Sequence, residues 1–320
     1  MSRDQTLWLG SALAFAALAT VPLFDQGYWL ALAVSMASFV AMATAWTLFS
    51  GPTHYVSLAS AAFFGSGMYV VTALAEVVAG PLVLLGAALV GGALAMLAGM
   101  MTLRLSGVYF VVFTFGMSEL IRQLVTWYQT TQSGTLGRYI FINISPSAIY
   151  WQLLALCALI YALGWWIARS RLGLAMRVIG DDETVARHAG IAVAAAKVVL
   201  FGLSGALIAV VGAVMAPRWT YIEPPIAFNA MISFQVVIMA LLGGTRRLWG
   251  PLVGVVPFTL LYEALSRHFP NHTYLLLGLA FLFIVYALPQ GVSGLIVDRW
   301  QRLRSRRAAA AGSADGASAR

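Results

Sequence analysis

The sequence predicts an all-α integral membrane protein, a polytopic helical bundle of about 8–10 transmembrane helices, some of them broken or re-entrant. Three observations carry that prediction. Hydrophobic residues make up 61% of the 320 residues and charged residues 9%, against roughly 25% charged in soluble domains. Mean hydropathy is +0.86. The apolar residues fall in runs of about 20 without period-2 alternation, which selects helices over a closed barrel, since lipid tolerates no unpaired backbone groups.

Ten apolar segments follow one another, at 7–24, 28–49, 56–78, 82–103, 107–126, 150–168, 196–216, 228–245, 250–266 and 273–288. The first reads as a span rather than a secretory leader, because no small-x-small cleavage site followed by polar sequence ends it. The stretch 50–70, with Gly51, Pro52, Gly65 and Gly67, is the strongest candidate for a broken or re-entrant element. Gly202, Gly205 and Gly212 form a small-residue stripe suited to close packing, against a neighbouring helix or a paired subunit. Residues 299–320 form a basic, low-complexity tail that reads as disordered.

An even number of spans puts both termini on one side, and the basic tail assigns that side to the cytoplasm. Threading back from it places Arg122, Arg138, Arg218 and Arg267 outside and the other Lys and Arg residues inside. The net charge of +8 is therefore a sign of membrane orientation, not of nucleic-acid binding. Cys157 is the single cysteine, so no intrachain disulfide forms. His54, His188, His268 and His272 have no ligand spacing, and the sequence carries no metal site and no catalytic triad.

Residues 169–197, RSRLGLAMRVIGDDETVARHAGIAVAAAK, form a polar island between apolar runs. Gly180 reads as a break, with Asp181 or Asp182 as N-cap. Asp182 and Glu183 place negative charge at the start of a helix of about eight residues, and Arg187 and His188 place positive charge near its end. Gly190 supplies a left-handed C′ position. So short a helix needs support from its own membrane helices or from a partner surface.

Polar residues within spans are suspects for a solute path, because charge at a helix centre costs about 2.5–3.5 kcal/mol on insertion scales. Glu119 and Arg122 are three apart and pair on one face, either as a structural pair or on the path; Glu263 and Arg267 read as an interfacial pair. Tyr109, Phe110, Thr114 and Ser118 are read as one helix face, and Ser57, Ser60, Phe63 and Phe64 as a second. Hydroxyls and aromatic walls suit a small zwitterion, although packing explains small residues equally well.

The segment GLAMRVIGDDETVARHAGIAVAAAKVVLFGLSGALIAVVGAVMA resembles the central signature of the branched-chain amino-acid ABC-transporter permeases of the LivM type. GPTHYVSLASAAFFGSGMY, RLSGVYFVVFTFGMSELIRQL, LLGGTRRLWGPLVGVV and YLLLGLAFLFIVYALPQGVSGLI resemble further stretches of that family in the same order, over nearly the whole chain beyond residue 45. The sequence departs at His54-Tyr55, at Ala59-Ser60, at Gly180 and in the loop Thr131–Gly137. The first and last of these departures bear on cargo rather than on machine class.

The resemblance implies a permease domain over 1–298 with a cytoplasmic coupling loop at 169–195, in the prokaryotic inner membrane with both termini cytoplasmic. It implies a second homologous permease subunit, two cytoplasmic ABC ATPase subunits and a periplasmic or lipid-anchored solute-binding protein. Cargo would be a small polar solute, with branched-chain or related amino acids as the family default. Asp181, Asp182, Glu183, Thr184 and Arg187 would couple to the ATPase; Ser57, Ser60, Phe63, Tyr109, Phe110, Thr114 and Glu119 are the path candidates. No cofactor would be held by the chain itself, ATP being used by partner subunits. The sequence agrees, since its lone lysine, Lys197, follows Ala196 and makes no P-loop. An ion-coupled secondary transporter is the alternative, disfavoured because only Glu119 is a carboxylate clearly inside a span. A membrane enzyme would cluster His, Asp or Cys, and none cluster.

Overall fold

A computed structural model describes residues 27–102, 107–142, 144–245, 247–273 and 275–279, with isolated positions at 20, 22 and 282. Most of the first and last apolar segments, and the basic tail, lie outside the described residues. The fold is all-α. Among the described residues six helical stretches are long and apolar enough to cross a membrane: Tyr28–Thr53, Gly80–Thr102, Val108–Gln132, Pro146–Arg169, Val193–Arg218 and Pro224–Gly243. The chain divides into two units, residues 1–238 and 239–320.

In the first unit, helix α1 (Tyr28–Thr53) runs through Pro52 and stops at His54, which adopts a left-handed conformation with φ 58°. Residues 54–59 are not helical, and α2 (Ser60–Leu74) resumes with 15 residues. At 1.5 Å per residue α2 is about 22 Å long, short of the roughly 30 Å hydrocarbon layer. The broken element expected at 50–70 is therefore present, but the break falls at 54–59. Gly65 and Gly67 are not its cause; both are buried inside α2.

Helix α3 (Gly80–Thr102), α4 (Val108–Tyr128) and α5 (Pro146–Arg169) follow. The Ser145 hydroxyl caps α5 by accepting from the Ala148 amide at 3.3 Å. Helix α6 (Arg171–Asp181) is capped in the same way by Ser170, on the Gly173 amide. It buries Gly173, Met176 and Ile179 on one stripe, the period expected of a surface helix. After the short α7 (Glu183–His188) comes α8 (Val193–Met215), most of which is buried. It packs chiefly on α2 and α3.

The small-residue stripe of α8 faces these neighbours within the chain. A Cβ at Gly212 would overlap the Phe64 carbonyl of α2, and one at Gly67 would overlap the Ala209 carbonyl of α8. Backbone thus meets backbone, the contact that membrane helices use when apolar burial supplies no preference over lipid. Ser204 Oγ donates to the Ala45 carbonyl at 2.8 Å, tying α8 to α1.

Two connecting loops meet in a two-stranded antiparallel ribbon, β1 (Arg138–Tyr139) with β2 (Tyr221–Ile222), in register Arg138 to Ile222 and Tyr139 to Tyr221. These are the loops that charge threading assigned to one side. Helix α9 (Pro224–Ala227) and α10 (Ala230–Gly243) complete the unit, the division between units falling within α10. In the second unit, α11 (Gly250–His268) turns back after Gly244, which has φ 93°. Gly254 meets the main chain of Met239 and Gly243. Glu263 pairs with Arg267 at 3.1 Å, as the four-residue spacing predicts.

Candidate functional site: the capped helix and the break it reaches

Helix α7 is shorter than its sequence suggests, six residues from Glu183 to His188. Asp182 is the N-cap, its Oδ1 accepting from the Thr184 amide at 2.7 Å and the Val185 amide at 3.2 Å. Those two bonds hold its carboxyl below the ordinary aspartate range. Asp181 is instead the last residue of α6. Gly180 does not break the chain. It is helical, and only a residue without a side chain fits against the Pro52 carbonyl, where a Cβ would overlap the oxygen. His54 Nδ1 lies 3.2 Å from the Gly180 carbonyl and reinforces that junction.

At its other end α7 closes as expected. Gly190 has φ 78°. The Ile191 amide donates to the Ala186 carbonyl at 3.1 Å and the Gly190 amide to the Arg187 carbonyl at 3.0 Å, the paired bonds of a Schellman motif. A helix this short is closed at both ends and turns Thr184, Val185, Arg187 and His188 outward. Val185 is 57% exposed and Ala186 fully buried.

Glu183 faces the other way, and its partners were not legible as a group in the sequence. Its Oε1 accepts from the Lys197 ammonium and from the Tyr55 hydroxyl, the latter at 2.8 Å. Its Oε2 lies 3.5 Å from Arg187. Lys197, in the second turn of α8, is only 1% exposed. Its ammonium lies 4.1 Å from the centre of the Tyr55 ring, a cation–π contact. Burial alone would raise the Glu183 pKa; the Lys197 and Tyr55 bonds and the Lys197 and Arg187 charges outweigh it and hold the carboxyl low. Tyr55 is pushed up to about 12 by burial, then by its bond to Glu183 and that carboxylate's charge.

Tyr55 belongs to the 54–59 break, where hydroxyls satisfy the backbone. The Leu58 amide donates to Thr114 Oγ1 at 3.0 Å, the Ala59 amide to Ser57 Oγ at 3.2 Å and the Ala61 amide to Ser233 Oγ at 2.8 Å. The Trp46 indole donates to the Ser57 carbonyl at 2.8 Å. Of the path candidates, Ser57 and Thr114 are thus occupied in sealing the break. The Ser60 hydroxyl is buried without a partner among the described residues.

Phe63 and Phe110 enter an aromatic cluster around Phe201, with ring centres 5.6 and 6.1 Å away. Phe110 also meets the edge of Tyr55 at 5.2 Å. Both are fully buried. Tyr109 does not join them. Phe110, Thr114 and Ser118 form the buried row of α4, while Tyr109 is 76% exposed. One residue is about 100° of helix, so the two neighbours face opposite environments. Glu119 is half-exposed on α4, paired within its own helix to Arg122 Nε at 2.9 Å and to Gln123 at 3.2 Å.

No group of three metal-ligating side chains occurs among the described residues.

Comparison with known proteins finds membrane permeases. The high-affinity branched-chain amino acid transport system permease protein LivM of Salmonella typhimurium is 25% identical over 237 residues, 64% of this chain and 55% of its own length. The autoinducer 2 import system permease protein LsrC of Klebsiella pneumoniae is 31% identical over 124 residues, 38% of this chain and 35% of its own. The ribose import permease protein RbsC of Haemophilus influenzae is 25% identical over 142 residues, covering 43% and 44%. The matched regions thus span about half the length of these curated relatives, or less. No solved structure matches. The family model described as branched-chain amino acid transport system / permease component matches residues 28–286, and the chain belongs to that family.

Proposed function

We propose that this chain is the membrane-spanning subunit of an ABC importer, forming one half of the path for a small polar solute, with α7 as the helix that receives force from a separate ATPase. The observation that carries this is the construction of α7. It is closed at both ends, turns Thr184, Val185, Arg187 and His188 outward, and roots its one inward carboxylate on a buried lysine. A helix too short to persist alone in water is thereby held rigid with one side free for a partner. Two cytoplasmic ATPase subunits, a second permease subunit and a solute-binding protein complete the assembly. It resides in the inner membrane with both termini in the cytoplasm.

The path is assigned to the outward side of α4. Tyr109, Gly116 and Gln123 are exposed there, and Glu119 is half-exposed with its charge paired, among the described residues, only inside the helix. Such a pair facing lipid is costly; facing a watered seam between two subunits it is not. The buried Ser57, Phe63, Phe110 and Thr114 shape that helix from behind. Branched-chain amino acids are the first cargo to try, and the relatives named for ribose and autoinducer 2 widen the class to small polar solutes.

The test is co-purification of the ATPase subunits with Val185→Arg and with Asp182→Ala/Arg187→Ala. Recovery is expected to fall to background while the permease stays in the membrane. Equal recovery from wild type and variants would refute the assignment of α7. A thermal-shift ligand screen on the solute-binding protein that co-purifies with the assembly would name the cargo.

A further inference from the structure

Lys197 has no place in the docking surface, being 1% exposed, and no place on the outward side of α4. It is the only lysine in the chain, set in the second turn of a membrane-spanning helix. An ammonium there is expensive to bury unless it is paired. Its pairing joins three separate stretches. The Glu183 carboxylate comes from α7, the Tyr55 ring and hydroxyl come from the 54–59 break, and Lys197 itself comes from α8. Tyr55 and Lys197 converge on the same oxygen, Oε1.

From Tyr55 the chain leads to Leu58, whose amide is bonded to Thr114 on α4. Tyr55 also meets Phe110, one turn before Thr114 on that helix. Gly180 and His54 make a second, parallel contact between the start of the break and the helix leading into α7.

We infer that Lys197 is a positioning residue that locks α7, α8 and the 54–59 break into one moving piece, so that displacement of α7 is delivered through Glu183 and Tyr55 to α4. This rests on α7 being the ATPase-facing helix. The physical reason is that α7 cannot leave α8 without stranding a buried ammonium. The outcome with the largest penalty for separation is joint movement.

The test uses the permease assembled with its ATPase subunits, in nucleotide-free and ATP–vanadate-trapped states, and needs no cargo. In the wild type, sulfo-N-hydroxysuccinimide acetate is expected to leave Lys197 unmodified in both states, with the urea-unfolded chain as the fully acylated control. Acylation of Lys197 on trapping would overturn the lock. In parallel, hydrogen exchange over 54–59 is expected to change on trapping in the wild type, and that change to fall at least roughly twofold in Tyr55→Phe and in the paired apolar variant Lys197→Met/Glu183→Leu. Restoring the ammonium's partner in reverse, as Lys197→Glu/Glu183→Lys, should recover part of the response. An unchanged response in the variants, or none in the wild type, would also overturn it. Should the paired variant fail to fold, Tyr55→Phe and wild-type acylation still decide. Val185→Arg separates the two readings: if it retains the ATPase, the docking assignment fails. If it loses the ATPase while Tyr55→Phe responds normally, only the lock fails.

Discussion

Gly180 is pressed against the main-chain carbonyl of Pro52, so closely that a methyl group at 180 would overlap the oxygen. Two segments 128 residues apart are thereby fixed, the end of α1 and the helix that precedes α7. Neither residue is chemically special. Their meeting decides where α7 begins.

Gly180→Ala should therefore destabilise the protein by about 1–3 kcal/mol, the usual cost of overpacking a tight contact. A fall in the melting temperature of the detergent-solubilised protein measures it. Its loss should be accompanied by faster amide exchange at Asp182, whose N–H donates to the Val178 carbonyl within the same junction.

The cap on α7 should be sensitive to acid. Asp182 and Glu183 have lowered pKa values in the folded chain. Their contribution is thus present above the unfolded values of about 3.9 and 4.3 and is lost as pH falls through the lower folded values. Protection of the Thr184 and Val185 amides should hold from neutral pH down past the unfolded values and be lost only as pH falls further, through the lowered value of Asp182. Asp182→Ala should lose that protection at every pH. Protection that tracked pH near neutrality would contradict the assignment.

Glycines on α2 and α4 should respond in opposite ways. Gly67→Ala forces α2 away from the Ala209 carbonyl of α8 and should cost about 1–3 kcal/mol. A Cβ at Gly116 meets nothing within 4 Å. Gly116→Ala should be neutral or gain up to about 1 kcal/mol from restricted backbone freedom. Paired thermal denaturation curves test both at once.

Glu119→Gln should reduce solute uptake on the order of tenfold, about 1.4 kcal/mol of barrier, with little change in melting temperature. The carboxylate bonds only within its own helix among the described residues, so its loss opens no contact to a neighbour. Full uptake with a lower melting temperature would assign it to structure instead.

Much of this is legible in the amino-acid sequence. Helix capping is local, so the Asp181-Asp182 pair and Gly190 mark the ends of α7 in the sequence, the choice between the two aspartates being made by the structure. Long apolar runs mark the six membrane-length helices among the described residues. The break near 50–70 was visible in composition, but its place was not. Gly65 and Gly67 serve packing against Phe228 and Ala209, and a glycine chosen for closeness looks the same in sequence as one chosen for a turn. That Tyr109 is exposed while Phe110 is buried is illegible for a related reason. In a membrane helix the outward and inward faces are both apolar, so hydropathy does not say which of two adjacent aromatics is buried. The pairing of Lys197 is not legible in the sequence because its partners lie 14 and 142 residues away, at Glu183 and Tyr55. Such convergence leaves no periodic trace.

The contrast between α8 and α4 carries a practical consequence for engineering. Helix α8 is wedged by main-chain contact at Gly212 and by the Gly67–Ala209 approach, whereas α4 buries only the narrow row Phe110, Thr114 and Ser118 among the described residues. Mutational tolerance should be lopsided in the same way. If the proposed path along α4 holds, a saturation library confined to Tyr109, Val112, Gly116, Leu120 and Gln123 would sample new solute preferences while keeping most members foldable. The same library on the inner stripe of α8 would return chiefly aggregates.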